Sequence, residues 1–272
     1  MSLIRISKYV DRLILVWEND YLHRYFMNKI SVTIITKNEE KNIERCLKSI
    51  RWADEIVVVD TFSTDRTVEI CREFTDKVFQ EDWLGYGPQK NLCASKAINR
   101  WVLNVDADEV ISSECAAEIQ KLLSSQPEFP LYRFPRKNFI ADRWVRYAGW
   151  YPDLISRLYD REQISFSESM VHERLVPDEK GGIINQPIFH YSFAGMKDYI
   201  ERQNRYSSLY AEEKKQLDWE ANWTHLYIRP IWAFIKTYFF RQGFREGFLG
   251  MFLAVSIMFY TYLKYAKTRS TE

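Results

Sequence analysis

No Cys-x-x-Cys pair occurs in this sequence, and its four cysteines, Cys46, Cys71, Cys93 and Cys115, are widely spaced. The common zinc and thioredoxin-like redox motifs are therefore missing, and the four read as small apolar residues of a reduced, cytosolic protein. Charge of one sign is also lacking. The 38 Lys and Arg against 37 Asp and Glu leave +1, which argues against a general nucleic-acid binder. A secretory signal is not expected, because the apolar run Leu13–Trp17 is short and is followed by charge. Nor does a Gly-rich loop carrying Arg or Lys follow the first strand-like run, which speaks against nucleotidyl transfer.

What the sequence has in quantity is aromatics, at 16% with nine Trp and seventeen Tyr. Such rings pack cores, stack on sugars and sit at membrane interfaces. Length and a 46% hydrophobic share allow one substantial core, or one domain with an appendage.

Residues 1–26 carry Ile6, Val10, Leu13 and Trp17 at helical spacing and form an N-terminal arm with no assigned role. From Ile30 the pattern becomes regular. Strand-like runs at 31–36, 55–60, 77–80 and 101–106 alternate with helical spacings, such as Ile43, Cys46, Leu47 and Ile50. This alternation predicts right-handed crossovers and a mainly parallel sheet with helices on both faces. Ser112 is placed to cap a further helix through Leu123. After Pro127, short β-like runs at 131–134, 154–159, 170–175 and 183–190 predict an antiparallel extension, followed by a charged helix over 197–215.

The stretch that organises the rest is Trp101-Val102-Leu103-Asn104-Val105-Asp106-Ala107-Asp108-Glu109. A buried strand ends there in two carboxylates one residue apart, at the strand end where open α/β sheets bind ligands. Hard oxygen donors of this kind suit Mg²⁺ or Mn²⁺ carrying a diphosphate. For a nucleotide-sugar on this scaffold, Thr36, Glu39 and Asp60 stand where base and ribose would need polar partners. Asp60 has a second reading as a helix-capping or turn residue. Lys90 lies near a helix start and suits phosphate, with a plain solvated lysine as its other reading.

The C-terminal residues form a compositional outlier. Gly247–Leu263 is seventeen residues without formal charge, and from Arg229 to Arg269 seven Lys or Arg face one acid, Glu246, giving +6. Helices lying in the interface of an anionic membrane fit this best. A helix packed on the domain or between subunits, and a single span, stay open.

Val32-Thr33-Ile34-Ile35-Thr36-Lys37-Asn38-Glu39, Val57-Val58-Val59-Asp60 with Ser63-Thr64-Asp65, and Asp106-Ala107-Asp108-Glu109 resemble the successive motifs of family-2 glycosyltransferases. Gly149-Trp150-Tyr151-Pro152-Asp153, Arg157-Leu158-Tyr159, Val171-His172-Glu173 and His190-Tyr191 narrow the resemblance to bacterial lipopolysaccharide core β-1,4-glucosyltransferases of the WaaE-like group. The likeness does not cover residues 1–26. Thr61 departs from it, since many relatives carry a second acid there.

The resemblance implies a GT-A fold, a divalent metal (Mg or Mn) and a UDP-sugar donor. It implies an inverting transfer of a hexose, glucose being the first candidate, to a lipid-linked acceptor such as the lipopolysaccharide inner core. It also implies a peripheral enzyme at the cytoplasmic face of the bacterial inner membrane. Among the residues, it gives Glu173 as catalytic base with Asp153 in reserve, and Asp106, Asp108 and His190 as the metal or diphosphate set. Thr36, Glu39, Asp60, Lys90 and Asp106 are left to the donor. His190 and Glu173 also read as a core histidine and a surface strand acid. Trp150, Tyr151 and Arg157 are expected at the acceptor groove or in packing. Alternative acceptors are a protein, peptide or teichoic-type polymer; a non-catalytic membrane-associated scaffold is the further alternative. The expected division is an arm over 1–26, a GT-A domain over 27–195 and a membrane-associating helical region over 196–272.

Overall fold

A computed structural model describes residues 28–168, 174–177 and 181–269. The helix expected within 1–26 and the candidates Glu173 and His172 lie outside the described residues. In chain order the elements are β1 (Ile30–Thr36), α1 (Ile43–Ser49), β2 (Glu55–Asp60), α2 (Thr67–Arg72), β3 (Val78–Gln80), α3 (Tyr86–Ser95), β4 (Trp101–Asn104), β5 (Glu109–Ile111) and α4 (Ser113–Leu123). Then come β6 (Leu131–Ile140), β7 (Arg143–Trp144), β8 (Leu154–Asp160), β9 (Ser165–Phe166), β10 (Leu175–Val176), β11 (Gly182–Ile183) and β12 (Ile188–Phe193). Last are α5 (Met196–Gln216), α6 (Arg229–Ile235) and α7 (Phe248–Arg269).

The chain divides into two compact units: 1–134 with 155–187, and 135–154 with 188–272. In the first, β1 lies parallel to both β2 and β4, and β3 lies parallel to β2. β1 and β2 are buried at every position except half-buried Ile35, as uninterrupted β-branched runs require when helices cover a parallel sheet. β8 adds antiparallel to β4, pairing Leu103 with Leu158. Val57, Val59, Cys93, Val102, Leu131, Tyr159 and Phe166 form a core here. Ser112 caps α4 as the sequence predicts, its hydroxyl accepting from the Cys115 N–H at 3.1 Å. All four thiols are buried and free. Burial pushes those of Cys71, Cys93 and Cys115 up to about 12.

The expected antiparallel extension is corrected in part. β8 is antiparallel, but β11 and β12 both run parallel to β6. The residues between β6 and β11 are a long excursion, so no tight turn constrains the returning strands to a hairpin.

Two buried carboxylates fasten strand ends of the first unit. Glu55 accepts from Lys77, from the Ser31 hydroxyl and from the Ile98 N–H. Asp160 accepts from Arg100 at 2.6 Å. Burial pushes both carboxyls up, but the donors around them outweigh it and hold both below their ordinary values. Their stabilisation is therefore complete above the unfolded carboxylate range, about pH 4, and is lost as pH falls through the lowered native values. Urea midpoints are expected to stay flat from pH 7 to 5 and to drop below pH 4. The Glu55→Gln, Asp160→Asn double variant, less stable at neutral pH, should show a shallower drop.

The second unit has its own core of Ile140, Val145, Ala148, Tyr199, Leu249 and Leu253. Here α7 runs alongside α5, with ring contacts from Tyr199–Phe252 at one end to Tyr210–Tyr265 towards the other. The Lys267 ammonium donates to the Asn204 carbonyl and amide oxygens and to the Ser207 and Ser208 hydroxyls of α5, all within 3.0 Å. A Cβ at Gly250 would stand 1.7 Å from the Gly243 carbonyl oxygen, so only glycine permits this approach. Buried Glu246 accepts from the Arg146 and Tyr147 N–H groups at 2.8 and 2.9 Å and from Arg143 at 3.3 Å. Glu246→Ala removes the common acceptor of these donors and should cost about 3 kcal/mol in chemical denaturation. Glu246→Gln should recover part of it.

Candidate active site

The carboxyl ends of β1 and β2 are sewn together by side chains. Asn38, in a left-handed conformation at φ 56°, donates its N–H to the Ser63 hydroxyl, and its amide oxygen accepts from the Thr64 N–H, both at 2.8 Å. The Glu39 N–H donates to the Thr67 hydroxyl at 2.8 Å, while the Glu39 carboxylate takes the Asn42 amide at 2.9 Å. Asp60 is fully buried and accepts from both the N–H and the hydroxyl of Ser63. In this structure it shapes the turn after β2. The Thr36 hydroxyl is buried at the end of β1 and finds no hydrogen-bond partner among the described residues. An orphaned buried hydroxyl beside that rebuilt turn is what a polar ligand would satisfy.

β4 delivers the acidic turn. The Val105 N–H still bonds to Thr33, and the chain then turns, with the Glu109 N–H donating to the Asp106 carbonyl at 2.9 Å. Asp106 and Asp108 are half-buried, whereas Glu109 is fully buried. Lys90 is 3% exposed and its ammonium lies 3.2 Å from Asp106, so it is not a solvated lysine. Phe166 flanks that ammonium at 5.3 Å. Reciprocal 2.8 Å hydrogen bonds between the Asn91 amide and the Phe166 backbone hold α3 to β9.

Arg157 is the residue whose place the sequence concealed. Expected at the acceptor groove or in packing, it is buried against the acidic turn. Its guanidinium donates to Asp106, to Glu109 at 2.7 Å and to the Asn104 amide oxygen at 3.2 Å. Burial alone would pull its pKa down, but the Asp106 and Glu109 charges outweigh that and hold it above its ordinary value. The available signal was a lone arginine inside an apolar strand, since a buried charge must be paired. Pairing with the acidic turn follows from the β4–β8 register, which the sequence does not display.

The first unit thus brings together Lys90, Asp106, Glu109 and Arg157, with Asp108 on the same turn. Three carboxylates against two cations leave one negative charge, a poor welcome for a diphosphate unless another cation is present. Among the described residues no group of three or more His, Cys, Asp or Glu is gathered to hold a metal. Mg²⁺ commonly takes one or two carboxylates and completes its shell with substrate phosphates and water, so the donor set fits such an ion.

Asp153 and His190 lie in the second unit. Asp153 pairs with Arg136 at 2.8 Å and accepts from the Asn138 amide at 3.1 Å, while His190 Nδ1 lies 2.7 Å from the Asn138 amide oxygen.

A family model described as glycosyl transferase family 2 matches residues 31–176. An uncharacterized glycosyltransferase of Rickettsia typhi is 34% identical over 255 residues, covering 89% of this chain and 87% of the relative. The lipopolysaccharide core biosynthesis glycosyltransferase LpsC of Rhizobium meliloti is 28% identical over 250 residues, 88% of this chain and 91% of that one. Among solved structures, the mannosyltransferase PcManGT from Pyrobaculum calidifontis, in complex with GDP-Man and Mn²⁺, is similar at 16% identity and TM-score 0.48. It covers 88% of this chain and 86% of its own.

Proposed function

The chain belongs to glycosyl transferase family 2 and is a glycosyltransferase; from that premise we propose that it moves a hexose, glucose first among candidates, from a UDP-sugar to a lipid-linked saccharide, with inversion and with a divalent metal. The similarity to LpsC, named for lipopolysaccharide core biosynthesis, supports a core acceptor, and the inner core is the one proposed. One observation carries the reading: Asp106 and Asp108 leave the carboxyl end of a buried parallel strand, with the buried cations Lys90 and Arg157 drawn to Asp106.

In this reading Asp106 and Asp108 hold the cation. When bound, the ion neutralises charge on the departing diphosphate. Arg157 fixes the Asp106 carboxylate, and Lys90 adds a positive charge 3.2 Å from the same residue. Thr36 and Glu39, at and just after the end of β1, serve the base and ribose beside the turn that Asp60 shapes. Glu173 takes the proton of the acceptor hydroxyl as its oxygen attacks the anomeric carbon.

The membrane is part of the proposal. α7 is long and apolar enough to cross a bilayer. However, it packs along α5, a helix rich in Lys, Arg and Glu, and could not enter hydrocarbon without carrying those charges with it. Its outer stripe exposes Phe248, Met251, Val255, Phe259 and Tyr262, and the preceding turns expose Phe239, Phe240 and Phe244. With Lys236, Arg241 and Arg245 among them, this surface suits the cytoplasmic face of an anionic inner membrane, on which the protein lies.

A thermal-shift screen of nucleotide-sugars with and without Mn²⁺ tests the donor half. Binding stabilises in proportion to the logarithm of ligand over its dissociation constant, so about 2.7 kcal/mol is expected at a hundredfold excess. A UDP-hexose that shifts the midpoint only with metal supports the reading, and no shift with any nucleotide-sugar overturns it. Transfer to lipid-linked acceptor against soluble peptide then separates the acceptors.

A further inference from the structure

The two turns joined at the carboxyl ends of β1 and β2 each contain a residue with left-handed backbone, Asn38 at φ 56° and Phe62 at φ 49°. Asparagine tolerates that conformation, whereas a bulky aromatic residue adopts it only under strain. The strain is imposed from both sides. The Thr61 N–H donates to the Thr36 carbonyl at 2.9 Å, and the Ser63 N–H donates to the Asp60 carboxylate at 2.8 Å. Glycine would make the same turn without strain, so the turn alone does not call for a phenyl ring. Nor does local packing. Phe62 is 53% exposed, and among the described residues no aromatic ring or cation lies against it.

We propose that Phe62 is the stacking platform for the nucleobase of the donor nucleotide, held strained and open so that one face of its ring meets the base. The inference rests on the nucleotide-sugar reading above. Backbone strain that its surroundings over-determine is characteristic of ligand clamps, and Phe62 stands at the strand ends where parallel sheets bind ligands. A base has a flat face and a polar edge. Phe62 matches the face. For the edge there is the buried Thr36 hydroxyl at the end of the neighbouring strand, unpartnered among the described residues. β2 and β4 pair with the two sides of β1, so their carboxyl ends stand about 10 Å apart, a gap that the ribose and diphosphate of one nucleotide bridge. The exposed rings Trp83 and Tyr86 follow β3, one strand further from the acidic turn, and lean on each other edge to face at 4.8 Å.

The experiment is calorimetric titration of the full-length protein in Mg²⁺ with UDP and, separately, with inorganic pyrophosphate, which has no base. Phe62→Gly should weaken UDP binding about tenfold or more, the usual effect of losing one stacking ring. It should leave pyrophosphate binding unchanged. Its unfolding midpoint should equal or exceed that of wild type, because glycine relieves the left-handed strain, so the lost affinity cannot be ascribed to a damaged fold. Phe62→Tyr keeps a ring at the same place and should bind UDP as wild type does. UDP bound by Phe62→Gly as tightly as by wild type overturns the inference. So does an equal loss for UDP and pyrophosphate, which would mark a general disturbance of the turn. Those two results leave the donor reading standing. A wild type that binds no UDP overturns that reading and the inference with it.

Discussion

Asp108→Ala is expected to lower turnover about a thousandfold, close to 4 kcal/mol of transition-state stabilisation, while leaving the unfolding midpoint within a few degrees of wild type. Asp108 is half-buried on the turn after β4, so its loss removes a charge without emptying the core. Its carboxylate matters for charge that builds on the leaving group, which makes the loss one of kcat more than of KM. Steady-state kinetics with saturating Mn²⁺ and a UDP-hexose gives the number. The metal-dependent thermal shift should vanish in the same variant. Turnover within tenfold of wild type would remove Asp108 from the proposed cation site.

Arg157→Leu is expected to act on stability as strongly as on activity. Removing the guanidinium leaves Glu109, which is fully buried, without its cation, and breaking such a pair costs about 3–5 kcal/mol. For a chain of this size that is a fall of roughly 10 °C or more in the unfolding midpoint. Adding Glu109→Leu should return most of the loss, because a buried pair replaced on both sides by apolar groups is often neutral. Activity should stay low in the double variant, since Asp106 still lacks the group that orients it. A single variant as stable as wild type would show that Glu109 finds another partner at no cost.

The alternation of buried strands and helical spacings from Ile30 to Leu123 was legible because each element there is local. β-branched runs announce β1 and β2, and Ser112 announces the start of α4. The acidic turn was legible too, since Asp106 and Asp108 interrupt an apolar strand. What escaped the sequence depends on pairings between distant strands. Arg157 meets Asp106 and Glu109 only because β8 enters beside β4, and Asn138 meets His190 only because β12 returns parallel to β6. The second unit is likewise discontinuous: 135–154 belongs with 188–272, and no shift in composition at Pro135 marks it. Asp60 could be read two ways from its neighbours, and only the Ser63 bonds show the turn it shapes.

The four native thiols are all enclosed, with three of their protons held to about pH 12. Alkylating dyes should therefore pass the folded molecule by. A single engineered surface thiol at Phe248, which is 75% exposed, would be the sole handle for a nitroxide or fluorophore, and its quenching depth in vesicles would report where the α7 stripe rests.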